Sequence, residues 1–136
     1  MKVFLDTNVL ASAVATRGLC TDVFREVLFR HRLVTCEAVL DELRDVLVKK
    51  FGVPKALIDD VVEVIQEDAV LSMPRSVIEA GIKDKSDLPI LSAALAAKAD
   101  VFVTGDKELV RLQELEGMPI LSPRAFWEKV ATGAHR

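Results

Sequence analysis

The amino-acid sequence predicts an α/β protein in which a central parallel sheet lies between two layers of helices. Short apolar stretches alternate along the chain with longer segments of helical periodicity. The stretches are apolar at successive positions, which is typical of parallel strands that are buried on both faces. We therefore expect a three-layer α/β/α sandwich with about four to five parallel strands. The predicted strands are 3–5, 33–35, 101–104 and 119–121, with a fifth short strand near 69–71.

Length and composition predict a single domain over residues 1–136. A chain of 136 residues with 51% hydrophobic residues can fill one core, and it contains no repeat and no linker rich in Gly or Ser. Its apolar runs are far shorter than the roughly 18 to 20 residues that a membrane span needs. We therefore expect a soluble, cytoplasmic protein without a membrane partner. Cys20 and Cys36 predict free thiols rather than a disulfide framework.

The clearest helix is predicted over residues 36–50. Apolar residues from Val39 to Leu47 follow the spacing of a core-facing stripe, and Thr35 is placed to cap the N-terminus. At about 100° per residue, Glu42 lies at the margin of that stripe. Glu42 is therefore either a carboxylate with a partner, such as a metal ion, or a boundary residue that reaches solvent.

The segment after Pro54 predicts a helix with an unusually broad apolar face. This breadth indicates either a helix packed between neighbours on several sides or a helix that offers a surface to a partner chain. The residues of the face are Leu57, Val61, Val64 and Ile65, widened by Ile58 and Val62.

Acidic residues lie where two of the predicted strands end. Asp6 ends the first strand, and Asp106 follows the strand that closes with Thr104. In an open parallel sheet, ligands bind in the crevice beyond the carboxyl ends of the strands. Taken singly, Asp6 and Asp106 could instead serve only to cap the helices that follow them.

A further helix is predicted after the sequence KDKSD at 83–87. Ser86 or Asp87 is expected to be its N-cap, and Pro89 is tolerated in its first turn. Helical angles place Asp87 on the same side as the apolar residue Ile90, so its carboxylate is expected to face the edge of the sheet. Asp84, just upstream, either assists the site or remains a solvated charge.

Four acids from separate stretches are thus expected to converge at one edge of the sheet. Carboxylates gathered closely repel and raise one another's pKa, so such a cluster is expected to hold a hard divalent cation. Oxygen ligands favour Mg²⁺ or Mn²⁺, as one ion or two, over zinc. The predicted catalytic residues are Asp6, Glu42, Asp87 and Asp106.

A net charge of −3 is not typical of a general nucleic-acid binder. A bound divalent cation would reverse the potential around the carboxylates, so the overall charge is a weak guide to the site. Basic residues also lie close to the acids in the sequence. Expected phosphate contacts are Lys83, Lys85 and Lys107, while Arg44, Lys49 and Lys50 lie along one further segment.

Four spaced elements together resemble the PIN-domain nucleases, and within them the toxin components of toxin–antitoxin pairs. The elements occur in the family's order over nearly the whole chain. They are FLDTNVL, TCEAVLDELRDVL, KDKSDLPILSAALAAKAD and VFVTGDKEL.

The resemblance implies a PIN-like sandwich, often dimeric, in which Asp6, Asp87 and Asp106 bind Mg²⁺ or Mn²⁺. Asn8 and Thr104 match polar residues that support the acids through hydrogen bonds. Lys85 and Ser86 stand where relatives often have acids, which implies weaker metal binding and puts a second ion in doubt.

The implied activity is hydrolysis of phosphodiester bonds in single-stranded RNA, with products that carry a 5′-phosphate and a 3′-hydroxyl. The implied partners are an RNA substrate, a cognate antitoxin and a second copy of the chain.

Two other functions remain open from the sequence. A phosphorelay receiver is also an α/β domain with acids at strand ends, but it needs paired acids after its first strand, where this chain has Asp6 alone. A PIN-like module that binds RNA or a protein without cleavage is the other alternative, and the complete set of acids argues against it.

Overall fold

The computed structural model describes residues 1–75 and 85–133. In these ranges six strands form one sheet in the order β3-β2-β1-β4-β6-β5. Strands β1 to β4 and β6 pair in parallel, and β5 pairs with β6 in the antiparallel direction. The strands are β1 Lys2–Leu5, β2 Arg32–Cys36, β3 Val70–Ser72, β4 Val101–Val103, β5 Glu114–Leu115 and β6 Met118–Leu121.

Helices connect the parallel strands. A 3₁₀ turn at Lys85–Asp87 precedes the fifth helix. The strand order reverses beside β1, so right-handed crossovers are expected to place the connecting helices of the two halves on opposite faces of the sheet. The helices are α1 Thr7–Ala15, α2 Leu19–Arg30, α3 Glu37–Lys49, α4 Lys55–Asp68, α5 Leu88–Ala96, α6 Lys107–Arg111 and α7 Pro123–Gly133.

The core lies on both faces of the central strands. Phe4 of β1 and Phe102 of β4 are fully buried and stack with their ring centroids 5.1 Å apart. Successive residues of β1 from Val3 to Leu5 are all buried, as expected for a strand covered on both faces. The predicted α/β sandwich with a central parallel sheet is therefore confirmed, including the fifth short strand.

Three details differ from the expectations. Strand β5 was not predicted, because two residues carry no periodicity and the reversal depends on left-handed backbone at Glu116 (φ 49°) and Gly117 (φ 85°). Thr35 does not cap α3: it lies in β2, fully buried, and Cys36 occupies the cap position instead.

The apolar face of α4 is also divided differently from the expectation. Ile58, Val62 and Ile65 are buried, whereas Leu57 and Val64 are 55% and 50% exposed. Of the two alternatives for this helix, packing between neighbours on several sides does not agree with the exposure of Leu57 and Val64.

Among the described residues, no helix is both long enough and apolar enough to cross a membrane.

Candidate active site

Asp6 is a buried carboxylate at the point where β1 ends and α1 begins. It is 5% exposed, and its Oδ1 accepts a hydrogen bond from the backbone N–H of Thr7 at 2.8 Å. Burial raises the pKa of Asp6, the hydrogen bonds from Thr104 and Thr7 lower it, and the nearby charge of Asp106 raises it further. In the described part of the chain no basic side chain forms an ion pair with Asp6. The ionised form of Asp6 therefore carries a desolvation penalty that a nearby cation would relieve.

Thr104 links the two strand-end acids. It follows β4 and is fully buried, and its hydroxyl donates to Oδ2 of Asp6 at 2.8 Å while accepting from the backbone N–H of Asp106 at 3.0 Å. Asp106 in turn caps α6, since its Oδ1 accepts from the N–H of Glu108 at 2.9 Å. Both aspartates thus cap helices, and Thr104 connects the turns after β1 and β4 through hydrogen bonds.

Asn8 fixes the same pair of turns from the other side. Its Oδ1 accepts a hydrogen bond from the backbone N–H of Gly105 at 3.0 Å. A Cβ at Gly105 would lie 3.2 Å from that oxygen, so only glycine allows this approach without a shift of Asn8. Thr104 therefore hydrogen-bonds an acid directly, whereas Asn8 hydrogen-bonds the backbone next to Asp106.

The four predicted acids line one cleft with a volume of about 230 Å³. Asp6 comes from the end of β1, Glu42 from an exposed position on α3, Asp87 from the turn before α5, and Asp106 from the start of α6. Strands β1 and β4 are neighbours at the point where the strand order reverses, which is where open α/β sheets bind ligands. The fold therefore brings acids that are distant in the sequence to a single surface. Lining residues other than the acids are Thr7, Asn8, Ala11, Ser12, Val46, Lys50 and Phe51.

A divalent cation fits the chemistry of this cleft. Its acidic lining supplies hard oxygen donors, and the hydroxyl of Thr7 is buried with no hydrogen-bond partner among the described residues. In the same described residues, however, no three His, Cys, Asp or Glu side chains lie close enough together to hold an ion. Mutual repulsion keeps bare carboxylates apart, so a cation would have to draw these side chains closer together.

Two of the three predicted phosphate contacts lie outside the described lining of the cleft. Lys85 and Lys107 are exposed, and neither is among the described residues that line the cleft. Lys83 and Asp84 lie outside the described residues. Among the residues that the structure describes, the cationic side chain that lines the cleft is Lys50, at the end of α3.

In the sequence, Lys50 lies on one segment with Arg44 and Lys49, and its charge alone does not distinguish it from these two residues. The helical spacing of Glu42, Val46 and Lys50, each four residues apart, was the available signal. Thr7 and Phe51 were missed, since neither carries a charge or a motif that marks it.

The comparisons with known proteins agree with this fold. A model of the PIN domain matches residues 2–108. A solved structure of VapBC2 from Rickettsia felis, bound to a DNA fragment from their promoter, is 17% identical with a TM-score of 0.62, over 90% of this chain and 98% of that one. VapBC-1 from nontypeable Haemophilus influenzae is 21% identical with a TM-score of 0.61, over 91% of this chain and 99% of that one.

At these identities, the two solved structures share the fold with this chain. No curated protein matches the sequence significantly. The matched family model covers most of the sequence and includes Asp6, Glu42, Asp87 and Asp106. The chain belongs to the PIN domain family.

Proposed function

We propose that the protein is a metal-dependent endoribonuclease that hydrolyses phosphodiester bonds of single-stranded RNA. The observation that carries the proposal is the buried carboxylate of Asp6, which forms no ion pair with a basic side chain among the described residues. It lies near Asp106 in a cleft that is also lined by Glu42 and Asp87. Membership of the PIN domain family supports the same activity. The products would carry a 5′-phosphate and a 3′-hydroxyl.

Asp6, Asp87 and Asp106 are the proposed ligands of Mg²⁺ or Mn²⁺. When bound, the ion would supply Lewis-acid stabilisation of the charge that develops on the phosphate and would lower the pKa of a water. The argument for one ion rather than two is the replacement of family acids by Lys85 and Ser86.

The remaining polar residues position this machinery. Glu42 would orient the attacking water from α3. Thr104 holds Oδ2 of Asp6 by a hydrogen bond, and Asn8 holds the backbone of Gly105. Both contacts fix the turns after β1 and β4. The carboxylates of Asp6 and Asp106 are therefore already held in place before RNA binds.

The Asp6→Asn variant tests the proposed function. This variant keeps the size and the capping oxygen of the side chain but removes the charge, so we expect RNA cleavage to fall by at least about 10²-fold, the scale of losing one group that stabilises transition-state charge. The matched control is Asp41→Asn, which removes an exposed acid one position from Glu42 and should cleave normally. Cleavage of labelled single-stranded RNA with Mg²⁺ or Mn²⁺ gives the measurement. Parental rates in Asp6→Asn would remove the assignment.

The proposed partner is an antitoxin protein. The two similar solved structures are named VapBC complexes, which supports a toxin role for this chain. A groove of about 330 Å³, called the apolar groove below, offers a surface for such a partner. Its described lining is Val14, Phe24, Asp60, Val61, Val64 and Ile65. A homodimer and a cytoplasmic location stay predictions.

A module that binds RNA without cleaving it is the second candidate. The observation in its favour is that no three ligating side chains are grouped closely in the described residues. If the wild-type chain binds single-stranded RNA but never cleaves it with Mg²⁺ or Mn²⁺, this candidate replaces the first. Membership of the PIN family removes the phosphorelay-receiver alternative.

A further inference from the structure

We propose that Lys50 and Phe51 form a second RNA-binding subsite in the cleft, separate from the acids. In this subsite Lys50 binds a backbone phosphate and Phe51 stacks against a base of the same strand. The inference deepens the proposed function and rests on RNA as the substrate.

The position of Lys50 on α3 follows from helix geometry. Glu42, Val46 and Lys50 are spaced four residues apart, and all three line the cleft. At about 1.5 Å per residue, Lys50 lies roughly 12 Å along the helix from Glu42. That separation corresponds to roughly three to four nucleotides, given a rise of about 3.4 Å per nucleotide in a stacked strand. The cleft therefore has an acidic end at the sheet edge and a basic, aromatic end at the C-terminus of α3.

The charge of Lys50 is available for a ligand. Among the described residues it has no carboxylate within 4.0 Å, unlike Lys49, whose Nζ lies 3.0 Å from Oδ1 of Asp45. Its Nζ lies 5.6 Å from the centroid of the Phe51 ring instead. Acidic side chains repel the phosphates of RNA. A cation in the same cleft that has no ion pair among the described residues can instead bind a phosphate.

Phe51 supplies the second property that single-stranded nucleic acid recognises. The ring is half-buried against the core and also lines the cleft, so part of it is accessible from the cleft. An aromatic ring beside a cation is the combination that binds bases and backbone without reading a sequence.

Hydrogen bonds at the end of α3 hold the backbone of Lys50 and Phe51 in place. The backbone N–H of Gly52 donates to the carbonyl of Val48 at 3.1 Å, and that of Val53 donates to the carbonyl of Leu47 at 2.9 Å. Gly52 has a left-handed φ of 62°, which glycine adopts without strain. These hydrogen bonds already restrict the backbone of Lys50 and Phe51, so less backbone entropy would be lost when RNA binds.

The test compares two adjacent lysines in the Asp6→Asn background, in which we expect RNA cleavage to be strongly reduced. The probe is a fluorescein-labelled, mixed-sequence single-stranded RNA of about ten nucleotides, which is long enough to span the cleft. With Mg²⁺ present throughout, we expect Lys50→Ala to weaken binding on the order of tenfold and to reduce the salt slope of log K by about 0.7. Lys50→Arg should restore most of the affinity, and Lys49→Ala should bind as the background does.

Phe51 is tested by Phe51→Leu, which keeps an apolar side chain against the core but removes the aromatic face. We expect a loss of affinity of roughly five- to a hundredfold with little change of the salt slope, because stacking is not an ionic contact. Thermal unfolding of each variant separates a loss of binding from a loss of fold.

Equal affinities and salt slopes for Lys50→Ala and Lys49→Ala would overturn the inference. The binding comparison does not depend on catalysis. A wild-type chain that never cleaves RNA would contradict the proposed function, and the comparison of the two lysines would still test the subsite.

Discussion

Helix α1 borders two concave surfaces of opposite character. Ala11 and Ser12 face the cleft, which is lined by the four acids, whereas Val14 faces the apolar groove between α1, α2 and α4. The cleft depends on buried hydrogen bonds, such as the one between Thr104 and Asp6. The groove is lined mainly by apolar side chains, some buried and some exposed. One short helix therefore separates an acidic surface from an apolar surface.

The buried and exposed sides of α4 give the largest expected contrast. Ile65→Ala should lower the free energy of unfolding by about 2–5 kcal/mol, because the side chain is fully buried and its loss leaves a cavity. Val64→Lys, on the adjacent exposed residue, should change stability by within about 0.5 kcal/mol. Chemical denaturation of both variants measures these values.

Val64→Lys should also weaken binding to an antitoxin, because a charge enters the apolar groove, while RNA cleavage stays normal. Co-purification with the proposed antitoxin gives this readout. Destabilisation by Val64→Lys as large as that by Ile65→Ala would mean that the division of α4 into two sides is wrong.

Thr104→Val tests the hydrogen bonds that support the cleft. Valine has the shape of threonine without the hydroxyl, so Oδ2 of Asp6 and the N–H of Asp106 lose their partner. We expect cleavage to fall by about 10- to 100-fold and stability by about 1–3 kcal/mol. Thr104→Ser keeps the hydroxyl and should retain most of both. Should the valine variant cleave as fast as the serine variant, the supporting role of Thr104 would have to be abandoned.

Much of the site could be predicted because it follows from local rules. Strand ends and helix starts set the positions of Asp6 and Asp106, and a helical angle was enough to direct Asp87 toward the same edge. Those rules need only the order of the elements. They do not say how closely the carboxylates approach, which depends on charge and on any bound cation.

The rest could not be predicted because tertiary packing decides it. Apolar residues cover so much of α4 that periodicity does not choose between the side of Ile58 and the side of Leu57, and the neighbouring helices make that choice. Likewise, only the four-residue spacing from Glu42 distinguishes Lys50 from Lys49 in the sequence. The packing of α3 beside α1 decides that this side of the helix borders the cleft.

The central claim is that the cleft holds a divalent cation at Asp6, and its most direct test is thermal unfolding with Mn²⁺. Because the pKa of Asp6 is raised, the folded state binds this proton more tightly than the unfolded state, and stability falls as pH rises from the unfolded pKa of 3.8 through the folded pKa. An ion on the carboxylate offsets that loss. At neutral pH, Mn²⁺ at about a hundred times its Kd should stabilise the wild type by about 2.7 kcal/mol.

The Mn²⁺ effect should shrink in acid, as protons compete for Asp6, and should be largely lost in Asp6→Asn at every pH. A wild type that Mn²⁺ does not stabilise at neutral pH, or an Asp6→Asn variant that it stabilises equally, would contradict the account.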